Sequence, residues 1–279
     1  MVLVRIASWN VEGRLSQKNT LTRGMPDDII DAIKNINADI MVLLEAHSEN
    51  SLSELKSSQK LYDMGYKIYN APYQDDLNTR TDTYASQLSL MLLSKLQIEK
   101  FEVIRLGNIR NAITAIVKSK SNQNFRIIGI HLDDRLESTR IKQVIDLLKV
   151  IKRTVMPTVV MGDFNTMHRE DLWPSKFLRT GLIRLLAHIF LPNISLRATE
   201  MARGEALDIL KKNTGLIDAD KRHRPTTTPK IRGFEWLPNI RLIQIDHIFI
   251  SKDIKVKNFH IDTDKGADHR AIVSTLQIN

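Results

Sequence analysis

The 279-residue chain contains no cysteine. That absence excludes a disulfide framework, a thiolate-bound metal and a cysteine nucleophile, so any chemistry has to come from oxygen and nitrogen ligands, and it agrees with a cytoplasmic location. Long apolar runs are missing as well. The most apolar later stretch is interrupted by Arg184 and His188, short of the roughly 18 residues of a membrane span, and residues 1–10 lack the basic and apolar regions of a signal peptide. A soluble protein is expected. No Pro/Gly/Ser linker, low-complexity tract or internal repeat divides the chain, so one domain over 1–279 is the simplest organisation. Acidic residues are in deficit, 32 against 41 Lys+Arg, for a net +9. Between Trp173 and Arg241 thirteen Lys/Arg face six Asp/Glu, which places +7 of that surplus in one segment. Such a field concentrates polyanions, either nucleic acid or an anionic membrane surface. Nothing in the sequence indicates an obligate protein partner.

What is present is ample apolar material, 42% of residues, in short segments. Residues 2–9, 40–44, 88–93, 113–117, 125–130, 158–161, 243–250 and 271–276 are rich in Val, Ile or Leu and read as strands. Helical spacing follows Ser138, a plausible N-cap, with Ile141, Val144, Ile145, Leu148 and Ile151 as the apolar face, and recurs over 26–36 with Ile29, Ile30, Ile33 and Ile36. Eight strands with covering helices imply an α/β fold, a four-layered α/β/β/α sandwich. The basic segment carries two further helical stretches, about 175–191 and 199–213, and reads as a basic helical insertion at about 173–213. The first has an apolar face of Leu178, Leu182, Leu185, Leu186 and Ile189.

Polar chemistry gathers at strand ends: Asn10 and Glu12, Glu45, His131 and Asp133, Asp163 and Asn165, then Asp246 with Asp268 and His269. Buried unpaired carboxylates are costly, so several converging on one sheet edge call for neutralising partners or a cation. Carboxylates with an amide oxygen and no thiolate favour Mg²⁺ or Mn²⁺.

The runs Ser8-Trp9-Asn10-Val11-Glu12-Gly13, Gly129-Ile130-His131-Leu132, Gly162-Asp163-Phe164-Asn165, Ile245-Asp246-His247-Ile248 and Gly266-Ala267-Asp268-His269-Arg270, with an apolar strand ending in Glu45, occur in an order that resembles the endonuclease/exonuclease/phosphatase superfamily. The opening motif is most similar to the abasic-site endonuclease and tyrosyl-DNA phosphodiesterase branches. The resemblance implies a deoxyribonuclease I-like fold of two mostly antiparallel sheets. It also implies metal ligation by Glu45, assisted by Asn10 and Asp268. Asp163 would orient or deprotonate the attacking water, and Asn165 would hold a phosphate oxygen. His269, hydrogen-bonded to Asp246, would contact the scissile phosphate or shuttle a proton, while His131 would donate to a second phosphate oxygen or assist the leaving group. Glu12, a further candidate for the metal shell, stands where nuclease branches often have Asp and is one methylene longer. Arg224, Arg232 and Trp236 are further candidates for substrate contact.

The expected activity is therefore divalent-metal-dependent phosphodiester hydrolysis, acting on DNA or RNA through in-line attack of an Asp-activated water. A phospholipid or inositol-phosphate hydrolase, laying the 175–191 helix on a membrane, is the alternative. A binding protein on an inactive fold is a third class, opposed by the full set of site residues.

Overall fold

The computed structural model describes residues 2–11, 27–47, 52–72, 88–107, 110–152, 155–172, 199–227, 243–262 and 267–278. Among them are the strands β1 (Val2–Asn10), β2 (Ile40–His47), β3 (Lys67–Pro72), β4 (Leu88–Ser94), β5 (Gln97–Leu106), β6 (Arg110–Lys118), β7 (Asn124–His131), β8 (Thr158–Asp163), β9 (Ile217–Asp218), β10 (Asp246–Ile250), β11 (Lys255–Ile261) and β12 (Ile272–Ile278). They form two six-stranded sheets, ordered β11-β12-β1-β2-β4-β3 and β5-β6-β7-β8-β10-β9. The pairs β1–β2 and β7–β8 are parallel and the remaining neighbours antiparallel, so both sheets are mixed and mostly antiparallel.

The strands alternate side chains between two buried surfaces, which is why their sequences read as continuous apolar runs. One set, including Val4, Ile6, Val42, Leu44, Ile113, Ile127, Met161 and Ile248, meets between the sheets. The opposite face of the first sheet packs Trp9, Met41 and Leu43 against Ile29, Ile30, Ile33 and Ile36 of α1 (Asp27–Ile36), near α2 (Leu52–Asp63). Asp27 and Asp28 in the first turn of α1 complement its helix dipole. On the second sheet Ile128, Ile130 and Val160 are covered by α3 (Glu137–Ile151) and α4 (Glu205–Thr214). The result is the α/β/β/α layering. Among the described residues no helix is long and apolar enough to cross a membrane.

Four local expectations are corrected. The strands β3, β5, β9 and β11 lie outside the eight apolar segments, and all four are sheet edges. Ser138 is not the cap of α3: the helix begins at Glu137 behind Leu136, and Asp133 Oδ1 accepts the Arg135 and Leu136 N–H groups at 2.9 and 2.8 Å in the turn before it. The buried face of that helix is also rotated. It carries Glu137, Arg140 and Gln143 with Val144, Leu147 and Leu148, while Ile145 is exposed. The cause is a fully buried ion pair, Arg140 Nε to Glu137 Oε2 at 2.6 Å, whose other carboxylate oxygen accepts the Ala206 N–H at 2.8 Å and so docks α4. Finally, the helix expected over 199–213 is interrupted at Gly204, and its second part, α4, buries Ala206, Leu207 and Leu210 in the core. The first expected helix, 175–191, lies outside the described residues.

Candidate active site

The apolar alternation of the inter-sheet seam continues, at one end, in polar residues of the same parity. Val4 and Ile6 lead to Asn10, Phe125 and Ile127 to His131, Val159 and Met161 to Asp163, and Ile248 back to Asp246. Four strands from two sheets thus aim amide, imidazole and carboxylate groups into one place. Glu45 arrives there by another route. It has φ +54 and sits in an irregularity of the β2–β4 register between Leu43 and Ala46, an extra residue that re-aims its side chain. Gly162 sets the β7–β8 spacing. Its φ is +149, and a Cβ there would lie 1.8 Å from the Ile130 carbonyl oxygen.

Asn10 Nδ2 donates to Asp163 Oδ2 at 3.2 Å and to Glu45 Oε1 at 3.4 Å. His131 Nε2 is 3.7 Å from Asp163 Oδ2 and 3.8 Å from Glu45 Oε1. His269 Nδ1 lies 2.9 Å from Asp246 Oδ2, which also accepts the Thr226 hydroxyl at 2.6 Å, and His269 Nε2 is 3.8 Å from Asp163 Oδ2. Asp163 Oδ1 accepts the Asn165 N–H at 2.8 Å, while Asn165 Nδ2 donates to the Leu132 carbonyl at 3.1 Å. The Trp9 indole N–H donates to the His269 carbonyl at 3.1 Å. Asp163, Asp246 and His269 each offer a ligand atom within 4.8 Å of the others.

The electrostatics separate the two histidines. Burial works against charge on His269, but Asp246, Asp163 and Asp268 outweigh it and hold the imidazole well above its ordinary value. Burial, reinforced by Arg110 and His269, pushes His131 well below its own, so it is neutral. Burial pushes Asp163 up to about 7 despite the opposing charge of His269, and raises Glu45 against the pull of His269, Asn10 and Arg110. Asp268 acts on both Glu45 and His269.

Asn10, Glu45, His131, Asp163, Asn165, Asp246, Asp268 and His269 are therefore brought together from chain positions 10 to 269. Glu12, Arg232 and Trp236 lie outside the described residues. Arg224 is described, but its guanidinium grips Asp220 at 3.0 Å, donates to the Phe259 carbonyl at 3.1 Å and covers the Phe259 ring. Asp133 caps a turn rather than facing the cluster. Three supporting groups are not among the site residues expected from the sequence: Thr226, which holds Asp246; Trp9, a member of the opening motif, which holds the His269 backbone; and Arg110, whose charge reaches Glu45 and His131. The position of Arg110 at the start of β6 is the one sequence signal that could have found it.

Comparison with solved structures finds the same fold in proteins of low sequence identity. The human Nocturnin catalytic domain, solved with a bound sulfate anion, is 19% identical with a TM-score of 0.66, over 99% of this chain and 95% of that one. An endonuclease/exonuclease/phosphatase from Bacteroides vulgatus is 18% identical with a TM-score of 0.68, over the whole of both chains. ANGEL2, described as a 2′,3′-cyclic phosphatase and solved with adenosine-2′,3′-vanadate, is 15% identical with a TM-score of 0.66, over 98% and 95%. Comparison with curated protein sequences finds no match. The profile of the Endonuclease/Exonuclease/phosphatase family, by contrast, matches residues 7–269, from the strand that carries Asn10 to the histidine held by Asp246, and the chain belongs to that family.

Proposed function

We propose that this phosphoesterase is a divalent-metal-dependent phosphodiester hydrolase acting on DNA or RNA, and that residues 1–279 form one catalytic domain. The observation that carries the reading is the meeting of a half-buried carboxylate, Glu45, and a fully buried one, Asp163, with one charged and one neutral histidine. Acids alone would repel a phosphodiester. The donor set fits a hard cation: it is oxygen-rich, it has no thiolate, and burial destabilises the charged forms of Glu45 and Asp163, which a bound ion would restore. Glu45 and Asp268 would hold it, with Asn10 turning its amide oxygen inward, and Mg²⁺ or Mn²⁺ would supply charge stabilisation at the phosphoryl oxygens.

The chain's own residues do the rest. Asp163, fixed by the Asn165 N–H, accepts the proton of the attacking water. Protonated His269, held by Asp246, places positive charge and an Nε2–H donor at the scissile phosphate. Neutral His131 contacts a second phosphate oxygen or the leaving group, and Asn165 holds a non-bridging oxygen. The net charge of +9 and its concentration in 173–241 support a polyanionic substrate, and the nucleotide analogue bound by ANGEL2 supports a nucleic-acid one. A cytoplasmic location accords with the absence of cysteine.

Mg²⁺-dependent release of p-nitrophenol from bis(p-nitrophenyl) phosphate, abolished by chelation and by Asp163→Ala, is the expected result. A panel of abasic-site duplex, 5′-tyrosyl DNA, single-stranded RNA, a 2′,3′-cyclic phosphate and sphingomyelin or phosphoinositide vesicles then names the substrate class. Turnover of vesicles alone would overturn the nucleic-acid reading, and no Mg²⁺-dependent turnover of any ester would overturn the whole.

A further inference from the structure

A second group of ligating side chains lies on the opposite face of β10 from the cluster above, between the second sheet and α4. His168 Nε2 is 2.9 Å from Asp218 Oδ2, and His223 Nδ1 is 2.8 Å from Asp171 Oδ1. Each imidazole therefore directs one nitrogen at a carboxylate and turns the opposite nitrogen toward a shared point; Asp171 holds His223 above its ordinary value, so an ion bound there displaces the second proton of that ring. Those two nitrogens, His168 Nδ1 and His223 Nε2, both lie 3.8 Å from the same oxygen, Glu170 Oε1. Carboxylate-backed imidazoles converging on a third acid are the usual surroundings of an imidazole-bound metal: the backing carboxylate fixes the tautomer and raises the basicity of the ligating nitrogen. A cation already marks the place. The Lys211 ammonium lies 3.2 Å from His168 Nδ1 and 3.6 Å from Glu170 Oε1.

We infer that His168, Glu170 and His223, backed by Asp218 and Asp171, form a second metal site, one that takes a transition ion such as Zn²⁺ or Co²⁺ in place of the Lys211 ammonium. Two nitrogens and one carboxylate oxygen match the three protein ligands of a tetrahedral zinc site and differ from the oxygen set around Glu45. The His168 and His223 rings are stacked at 4.0 Å with planes 16° apart, so ligation asks the outer ring, His223, to tilt until the lone pairs converge. His247 stays outside the shell, since its two nitrogens already face Asp218 Oδ2 at 2.9 Å and the Thr166 carbonyl at 3.1 Å. Glu170 is 62% exposed, which gives an ion a way in. Once bound, the ion ties the segment leaving Asn165 to the one entering Thr226, the two segments that hold Asp163 and Asp246 in place.

The test uses the full chain stripped of metal. Co²⁺ is titrated by visible absorption and Zn²⁺ by calorimetry, for wild type and for His223→Gln, Glu170→Gln and Lys211→Met. Wild type should give the intense absorption of tetrahedral Co²⁺, displaced by Zn²⁺. His223→Gln and Glu170→Gln should lose it and bind Zn²⁺ at least tenfold more weakly, with Mg²⁺-dependent hydrolysis of bis(p-nitrophenyl) phosphate unchanged. Lys211→Met, lacking the competing ammonium, should bind more tightly. If His223→Gln does not fold, the exposed Glu170→Gln carries the same comparison. Zn²⁺ binding that is equal in wild type and both ligand variants, or a wild type without the Co²⁺ signal, overturns the site, and neither result depends on the catalytic reading.

Discussion

Gly162→Ala tests the claim that backbone proximity between β7 and β8 positions the catalytic carboxylate. At φ +149 an L-residue occupies a region essentially reserved for glycine, at a cost of about 1–3 kcal/mol. The added Cβ would also sit 1.8 Å from the Ile130 carbonyl oxygen, where ordinary contact begins at 3.4 Å, so one strand must move by roughly 1.6 Å. Ile130 is the direct ladder partner of Gly162, and the next pair is His131 with Asp163. The movement strains that pairing and the Leu132 N–H bond to the Asp163 carbonyl, 3.0 Å long, at about 1 kcal/mol each. A total near 4 kcal/mol follows. Gly65→Ala is the control: φ is +86 but nothing lies within 4 Å, so only the backbone penalty of about 1–2 kcal/mol applies. Urea unfolding should separate the two variants by at least about 2 kcal/mol, and an ångström-scale shift of Asp163 should lower turnover on the order of a hundredfold in Gly162→Ala alone. Equal stabilities with undiminished turnover would refute the reasoning.

Asp246→Asn removes the charge that keeps His269 protonated while preserving shape; kcat should fall by roughly 10²–10³ with KM little changed, and equal turnover would remove Asp246 from the mechanism. Glu137→Gln leaves the buried Arg140 without its counter-charge and weakens the bond to the Ala206 N–H, so denaturant unfolding should show a loss of about 3–5 kcal/mol. Tyr66 donates its hydroxyl to the Ala38 carbonyl at 2.8 Å, and burial pushes its pKa up to about 12 from an ordinary 10.0. The unfolded chain loses that proton first, so the contribution is complete below pH 10 and is lost as pH rises toward 12, worth up to about 2–3 kcal/mol. Tyr66→Phe should flatten this alkaline slope, and an unaltered slope in the variant would show that Tyr66 is not its source.

Which strands were legible follows from where they sit. The eight segments that read as apolar are the eight inner strands, each packed on both faces. The four that did not are the edges, and β5 shows why: its sequence, QIEKFEVIRL, mixes charge into both faces, Lys100 and Glu102 alternating with the packed Ile104 and Arg105 with the packed Phe101, and its period of two is broken by an irregularity between Ile98 and Lys100. Charged, irregular edges protect a sheet from pairing with another chain, so the feature that hid them from an apolarity reading has a use. The helix α3 failed differently. Its spacing reads as an apolar stripe, whereas the buried face contains a salt bridge whose carboxylate also satisfies the Ala206 N–H at the start of α4.

In the site, chemistry was legible and support was not. Asn10, His131 and Asp163 are visible because a polar residue interrupts an apolar parity, and only a partner or an ion justifies such a break in a buried strand. Glu45 could be located at a strand end but not aimed, since regular alternation from Leu44 would send its side chain toward the helices; the bulge that turns it inward has no composition signature. Thr226 and Arg110 are still less visible, because an uncharged hydroxyl in a polar segment and an arginine at a strand start are each common for other reasons. What gives them significance is distance: 2.6 Å from Thr226 Oγ1 to Asp246 Oδ2, a bond that spans twenty residues of sequence. A reading by residue type therefore finds the groups that meet substrate, and the groups that orient them emerge only when the two sheets are assembled.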